Sequence, residues 1–465
     1  MSISQPILEF PIIMWLIFLV LIFIWGLRVN IIKKPSQKVF LIDFACYKPL
    51  ASQMCTKEKS LEIAKSMGNY SEEMLDIMRM AMDKVGLGDS TYLPKTLLTN
   101  SPNLCLETSL KEAQDVMFGA LDILFEKTKI DPKDVGILIV NCSVFDPVPS
   151  LSCMIVNHYK MNENVLSYNL GGMGCTAGLL AVRLANQLLQ VSQYINSAFT
   201  FVQQVHESTY ALILSTENTS HCCYFGNDQS KIIPNCTFRV GGAAILLSNH
   251  PSHRRNSCKY ELLHDVHYHG ASSDRSYKSV FLEEDDHGLI GVSITKDLLI
   301  AATHAIETNL TLLAPFILPL SEKLLFLKNF IMRRKKYVPN FTKIDHFLPH
   351  VGGLPVLNQL QKKLGFTDLA MEPSKISLRR FGNTSSSSIW YILAYAEAKG
   401  RIKKGDKIWQ MAFGSGFKCS SVIWRTIRNV DTNDMKNPWK EESDALIDLD
   451  LDINAPPHDY FQPPN

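Results

Sequence analysis

Apolar positions along this chain follow two repeats. From Thr56 to Lys84, Leu61, Ile63, Met67, Met74, Ile77, Met78 and Met82 are interleaved with charge at helical spacing, which predicts an amphipathic helical region. Residues 108–128 read as a further helix. Short, nearly continuous apolar runs bounded by turn signals predict buried strands: "KVFLIDFACYKP" (38–49), "DVGILIVNCSV" (134–144), "VLSYNL" (165–170), "YALILSTEN" (210–218) and "GGAAILLSN" (241–249). "SCMIVNHYK" and "CTAGLLAVRLANQLLQ" between them read as helices. The second half repeats the grammar with "DHFLPHVGG", a helix from Leu354 to Leu364, "SIWYILAYAEAKG" and "DKIWQMAFGSGFKCSSVIW". Buried strands alternating with helices predict a mostly parallel α/β sheet, and two runs of similar size predict a duplicated unit.

The ends differ from this core. Phe10 to Leu27 carries no charged residue, is long enough to cross a bilayer as a helix, and is followed by Arg28, Lys33 and Lys34. It reads as a membrane anchor with the rest of the chain in the cytosol; a re-entrant hairpin and a cleaved signal peptide are the alternatives. The expected organisation is an anchor and linker over 1–36, an N-terminal half over 37–250, a C-terminal half over 251–430, and an acidic, mobile tail over 431–465. "VSQYINSAFTFVQQ" (191–204) fits this pattern badly, because it places aromatic and apolar residues where a short loop is expected.

The 465 residues are 46% hydrophobic, enough for a large core, and a net charge of +2 with no basic bias argues against a nucleic-acid partner. Eleven cysteines without CxxC pairs read as reduced thiols. One of them stands apart. In "NLGGMGCTAG", Cys175 lies between glycines, after a short strand and where a helix begins. A helix N-terminus lowers a thiol's pKa and offers N–H groups to an oxyanion. A small packing residue is the competing reading. His350 in "FLPHVGG" and Asn383 in "RFGNTSSSSIWY" each stand in a glycine turn after an expected strand. A thiolate nucleophile needs such a base or cationic partner, and an amide donor can hold an enolate oxygen. "FGSGFK" supplies a further turn, Gly414, Ser415 and Gly416, whose backbone N–H groups can reach the same pocket.

"NLGGMGCTAG", "ALILSTENTS", "YFGNDQSKIIPNCTFRVGGAAILLSN", "IGVSITKDLL", "RFGNTSSSSIWYILAYAEAKGRIKKGD" and "WQMAFGSGFKC" closely resemble the plant 3-ketoacyl-CoA synthases of the fatty-acid elongase, as do "VFLIDFACYKP" and "GLGDSTYLP". The similarity runs from about Val39 to Trp424. It implies the thiolase fold, a duplicated αβαβα layered core shared with chalcone synthase and bacterial ketoacyl synthases. It also implies condensation of a long-chain acyl-CoA with malonyl-CoA, in very-long-chain fatty-acid elongation, at the endoplasmic reticulum membrane with the core facing the cytosol. By this resemblance Cys175 accepts the acyl group, His350 and Asn383 assist, and no cofactor or metal is required. A homodimer and contacts with other elongase subunits are expected on the same ground.

The chain departs from the family at three places. Arg379 stands where the family usually has histidine, two residues before Phe-Gly-Asn, and is expected near the pocket. Residues 191–204 look like an insertion, and one apolar N-terminal run replaces the usual two. His264 and His346 match family histidines and are expected to support the pocket. His264, His267 and His269 have a spacing that invites zinc, but no carboxylate or cysteine completes a site. The Met-rich stripe reads as core, with an acyl-tunnel lining as the alternative. An inactive or accessory elongase subunit and a type III polyketide synthase-like enzyme are the competing functions.

Overall fold

The computed structural model describes residues 37–99, 102, 104–198, 209–221, 223–250, 258–332 and 344–442. The apolar run Phe10–Leu27 lies outside them. Among the described residues no helix is long and apolar enough to cross a membrane.

The described strands are β1 (Phe40–Cys46), β2 (Met54–Cys55), β3 (Thr91–Tyr92), β4 (Val135–Asn141), β5 (Leu166–Leu170), β6 (Tyr210–Thr216), β7 (Gly242–Ser248), β8 (Tyr260–His269), β9 (Val280–Glu284), β10 (Ile290–Ile294), β11 (His346–Pro349), β12 (Lys407–Gly414) and β13 (Lys418–Thr426). Both faces of the central strands are buried. In β4, Ile137 and Ile139 point into one apolar cluster while Leu138 and Val140 point into another. The two-residue period of a strand divides one unbroken apolar run between two cores.

Nine strands form one sheet in the order β11-β12-β13-β8-β1-β7-β6-β4-β5. Only β4/β5, β4/β6 and β11/β12 are parallel; the other five neighbouring pairs are antiparallel, which corrects the expectation of a mostly parallel sheet. A physical reason is visible at β12 and β13, which are joined by a tight turn, and a hairpin fixes antiparallel pairing. The duplication is legible in the pairing: β4-β6-β7-β1 and β11-β12-β13-β8 show the same succession of one parallel and two antiparallel neighbours. The halves meet where Phe40 and Leu41 oppose Glu261 and Tyr260. Residues 37–250 and 251–430 therefore share one sheet.

Helices Ala177–Ala198 and Ser388–Ala398 pack between the two half-sheets. Leu106–Thr128 and Leu151–Tyr159 cover the outer face of the first half, and Leu298–Ile317 covers β8 and β13 on the second. This is the expected five-layered αβαβα arrangement. Every residue from Ser388 to Glu397 is buried, as a helix enclosed on all sides requires.

Three further expectations change. The helical region 56–84 is two helices, Lys57–Met67 and Glu72–Val85, separated after Gly68, which has φ +71. Met74, Met78 and Met82 of that stripe are ordinary core. Residues 191–198 continue the helix that starts at Ala177 instead of forming a loop, while 199–208 lie outside the described residues. The tail is not detached from the core at Asp431. Trp439 is buried and donates to Tyr391 O at 2.9 Å, and Glu442 pairs with Arg380 at 2.7 Å and with Lys48 at 3.0 Å. An indole and two ion pairs hold residues up to 442 on the core, and 443–465 lie outside the described residues.

Candidate active site

Cys175 sits on a backbone that only glycine permits. Gly174 has φ +70, and a Cβ there would lie 2.6 Å from Ser415 N. Gly178, one turn along the helix, would put a Cβ 2.4 Å from Ser386 O. The missing side chains let the start of this helix touch two loops of the second half: the turn 414–416, and the segment that carries Asn383. Gly178→Ala is expected to cost about 1–3 kcal/mol by overpacking these elements. Chemical denaturation reads it, and an unchanged midpoint would mean that the two elements part freely.

His350 follows β11 directly. Its backbone N–H donates to Met411 O at 2.8 Å, which extends the parallel pairing with β12 by one residue. His350 is 1% exposed, and its Nδ1 has no partner among the described residues. Burial lowers its pKa to about 3, so the imidazole is neutral. Asn383 follows the helix Asp368–Phe381, not a strand as the sequence suggested. Its carbonyl accepts from Arg239 N at 2.9 Å, and its Oδ1 accepts from Ser385 N at 2.8 Å and Ser388 Oγ at 3.4 Å. The serines after Asn383 thus occupy its oxygen and leave Nδ2 free to donate to something else.

The Cys175 thiol is pushed up to about 12, by burial first and then by the nearby Glu217 charge, against a hydrogen bond with Ser385. This reverses the lowering expected from the helix start: desolvation outweighs the N–H groups. Ser385 Oγ lies 3.6 Å from Cys175 Sγ and 3.1 Å from Glu217 Oε2. Glu217 is held by the N–H groups of Ser143 at 3.0 Å and Val144 at 3.1 Å and by Cys142 Sγ at 3.2 Å. Only the thiolate is alkylated, so iodoacetamide labelling of Cys175 is expected to climb about tenfold per pH unit beyond the ordinary thiol value of about 8.5. Rates between pH 7 and 10.5, followed by peptide mass, check this; a plateau near pH 8.5 would contradict it.

Cys175, His350, Asn383, Gly414, Ser415 and Gly416 line one cavity of about 720 Å³. Much of its wall is apolar, including Val280, Leu282, Val292, Ile294 and Leu298. The two halves deliver different groups: the first supplies Cys175 and Glu217, the second the histidine, the asparagine and the 414–416 turn. Gly414 abuts Cys175 so closely that a Cβ there would lie 2.6 Å from Cys175 N.

The supporting residues expected from sequence do not reach this cavity. His346 binds Asp406 Oδ2 at 2.8 Å, tying the start of β11 to the turn before β12. His264 stacks on Phe316, with ring centroids 4.9 Å apart. Arg379 is exposed, and its carbonyl accepts from Gly88 N at 2.9 Å, so its charge stays outside the pocket. The three histidines of β8 diverge: His264 goes to Phe316, His267 Nδ1 to Ser420 Oγ at 3.0 Å, and His269 to the cavity. Ser420 in turn meets Thr176 Oγ1 at 2.9 Å, so His267 braces the residue after Cys175. The sequence assigns Glu217, Ser385 and Lys418 no place in the site, and singles out His269 only for its zinc-like spacing. For Glu217 a signal existed, since a charged residue follows directly on the apolar strand β6.

A layered, duplicated fold that presents a cysteine, a histidine and an asparagine in one apolar cavity defines a condensing enzyme of the thiolase class. The family described as FAE1/Type III polyketide synthase-like protein matches residues 31–335, and the C-terminal domain of 3-oxoacyl-[acyl-carrier-protein] synthase III matches 340–426. The chain is 50% identical over 413 residues to 3-ketoacyl-CoA synthase 11 of Arabidopsis thaliana, covering 87% of this chain and 78% of that one. It is 44% identical over 420 residues to probable 3-ketoacyl-CoA synthase 20 of Oryza sativa subsp. japonica, covering 88% and 78%. The fold is also that of the type III polyketide synthase domain of Steely1 from Dictyostelium, with TM-score 0.64, 16% identity and coverage of 84% and 99%. A CsyB variant complexed with CoA-SH superposes with TM-score 0.64, 19% identity and coverage of 84% and 100%. The chain belongs to the 3-ketoacyl-CoA synthase family, and it is a condensing acyltransferase.

Proposed function

We propose that this chain condenses a long-chain acyl-CoA with malonyl-CoA through an acyl-Cys175 intermediate. The observation that carries the reading is the single apolar cavity that holds Cys175, His350, Asn383 and the 414–416 turn. In the first half-reaction Cys175 Sγ bonds to the acyl carbonyl carbon, the thiol gives up its proton, and the C–S bond to CoA breaks, releasing CoA with a proton. The tetrahedral oxyanion is met by Cys175 N–H and an N–H of the 414–416 turn.

In the second half-reaction malonyl-CoA loses carbon dioxide, and the bonding pair stays behind as an enolate. His350 and Asn383 Nδ2 donate to its thioester oxygen. The imidazole suits this task because burial keeps it neutral. An imidazolium beside the enolate would be a strong acid and would quench the carbanion. The carbanion attacks acyl-Cys175, the thioester bond breaks, and 3-ketoacyl-CoA leaves two carbons longer. Thioester cleavage and decarboxylation supply the driving force, so the scheme draws on no metal or organic cofactor.

The setting is part of the same reading. The uncharged run Phe10–Leu27 anchors the chain in the endoplasmic reticulum membrane with the core in the cytosol, working as a homodimer beside other elongase subunits. Microsomes carrying the chain test the activity. Label from malonyl-CoA should enter 3-ketoacyl product over a series of saturated acyl-CoA primers, the best primer giving the chain length. No product at any length, with the protein present in the membrane, would refute the reading.

A further inference from the structure

Among the described residues three lysines are buried: Lys231, Lys259 and Lys418. Lys231 pairs with Asp228 at 2.7 Å and Glu283 at 3.4 Å. Lys259 pairs with Asp43 at 2.8 Å and Glu397 at 2.9 Å. Lys418 has no carboxylate partner among the described residues; its Nζ donates to Ser415 O at 2.9 Å. A buried ammonium without an opposing charge is costly. Burial accordingly holds its pKa below the usual lysine value. An unpaired buried cation points to an anion that is supplied from outside the protein.

The position of Lys418 narrows which anion. It lines the same cavity as Cys175. It begins β13 opposite His269 on β8, and His269 lines the cavity too. His269 Nδ1 accepts from Ala271 N at 3.3 Å, which leaves its proton on Nε2 as a second donor. The carbonyl that holds the ammonium belongs to the turn whose Gly414 abuts Cys175 N. An anion here therefore sits close to the reacting thioester.

We propose that Lys418 and His269 form a subsite for the free carboxylate of malonyl-CoA; this rests on the condensing reading above. Malonyl-CoA carries two kinds of anion. Its carboxylate lies on the carbon next to the thioester carbonyl, whereas the phosphates lie at the far end of the pantetheine arm. A lysine whose ammonium is held by the turn beside Cys175 is placed for the first. The subsite separates malonyl-CoA from acyl-CoA, which would leave the ammonium unpaired. Its contact is made in the ground state and ends when carbon dioxide departs, while the charge moves to the oxygen held by His350 and Asn383. Lys418 is thus a substrate-binding residue whose loss appears in KM more than in kcat.

The test uses the full chain in microsomes with Lys418→Met and Lys418→Arg. Two quantities are followed: the KM for malonyl-CoA in condensation, and formation of acyl-Cys175 from acyl-CoA alone, by intact mass. Lys418→Met is expected to raise the malonyl-CoA KM by roughly 10- to 100-fold, the loss of one charge-assisted hydrogen bond. Acylation should persist, which also shows that the variant is folded, and Lys418→Arg should recover most of the affinity. An unchanged malonyl-CoA KM in Lys418→Met would overturn the proposal. Acylation weakened in step with malonyl-CoA binding would overturn it differently, by assigning the ammonium to a CoA phosphate common to both substrates. A wild-type chain that forms no acyl-Cys175 would instead refute the condensing reading itself.

Discussion

Cys175→Ala abolishes both halves of the reaction: no acyl group is retained on the protein, and no label passes from malonyl-CoA into product. The expected fall in kcat is on the order of 10⁶, the scale of removing the nucleophile from a unit that acts together. The substitution removes one sulfur atom from a half-buried position at a cavity wall, so the fold has little to lose. Ser385 Oγ keeps its carboxylate partner in Glu217 at 3.1 Å. A thermal midpoint near that of the parent chain would show that the lost activity is chemical. Intact mass after incubation with acyl-CoA gives the direct readout. An acyl adduct that persists in Cys175→Ala would place the nucleophile elsewhere and sink the proposed mechanism.

Asn383→Ala separates the two halves. Acyl-Cys175 still forms, because the amide takes no part in the first transfer, but release of carbon dioxide from malonyl-CoA falls by about 10²–10³-fold, the cost of one donor to a developing oxyanion. His350→Ala is expected to behave in the same direction. The two positions differ in their cost to the fold. Removing the Asn383 amide leaves the buried Ser385 N without its acceptor, at a cost of about 1–3 kcal/mol of stability, while Ser388 Oγ keeps Thr384 Oγ1 at 3.2 Å. His350 makes no side-chain hydrogen bond through Nδ1, so its loss is a matter of packing against Phe413, 5.4 Å away between ring centroids. Labelled carbon dioxide and intact mass, measured on the same preparations, distinguish the halves. Loss of acylation in step with decarboxylation would mean that Asn383 positions the nucleophile instead of the enolate.

The candidate site residues were readable because they lie at element ends. Cys175 comes after β5, His350 directly after β11 and Asn383 after a helix, each near glycine, where a polar side chain has no packing reason to be. Asn383, expected after a strand, follows the helix Asp368–Phe381 and still lines the cavity, because a turn at either kind of element can present a side chain. His264, His346 and Arg379 show the opposite case. His346 and Arg379 each stand four residues before a candidate site residue, and His264 shares β8 with the cavity residue His269, yet β8 turns His264 outward to Phe316, Asp406 captures His346, and Arg379 faces solvent. Proximity along the chain does not say which face of an element a side chain takes.

What the sequence determined by itself is local or patterned: buried strands and enclosing helices from apolar periodicity, the duplication from repeated grammar, and the tight turn before Cys175 from its glycines. These follow from backbone sterics and solvent exclusion, which act over a few residues at a time. The tertiary structure alone decided the rest. It made most neighbouring strand pairs antiparallel, folded residues up to 442 back on the core, joined Glu217 to Cys175 through Ser385, and left Lys418 buried without a counter-charge among the described residues. It also set the thiol's direction, since desolvation comes from every atom packed around Cys175 and outweighs the helix start that the sequence could see. Burial and pairing are sums over residues hundreds of positions apart, and only the fold performs that sum.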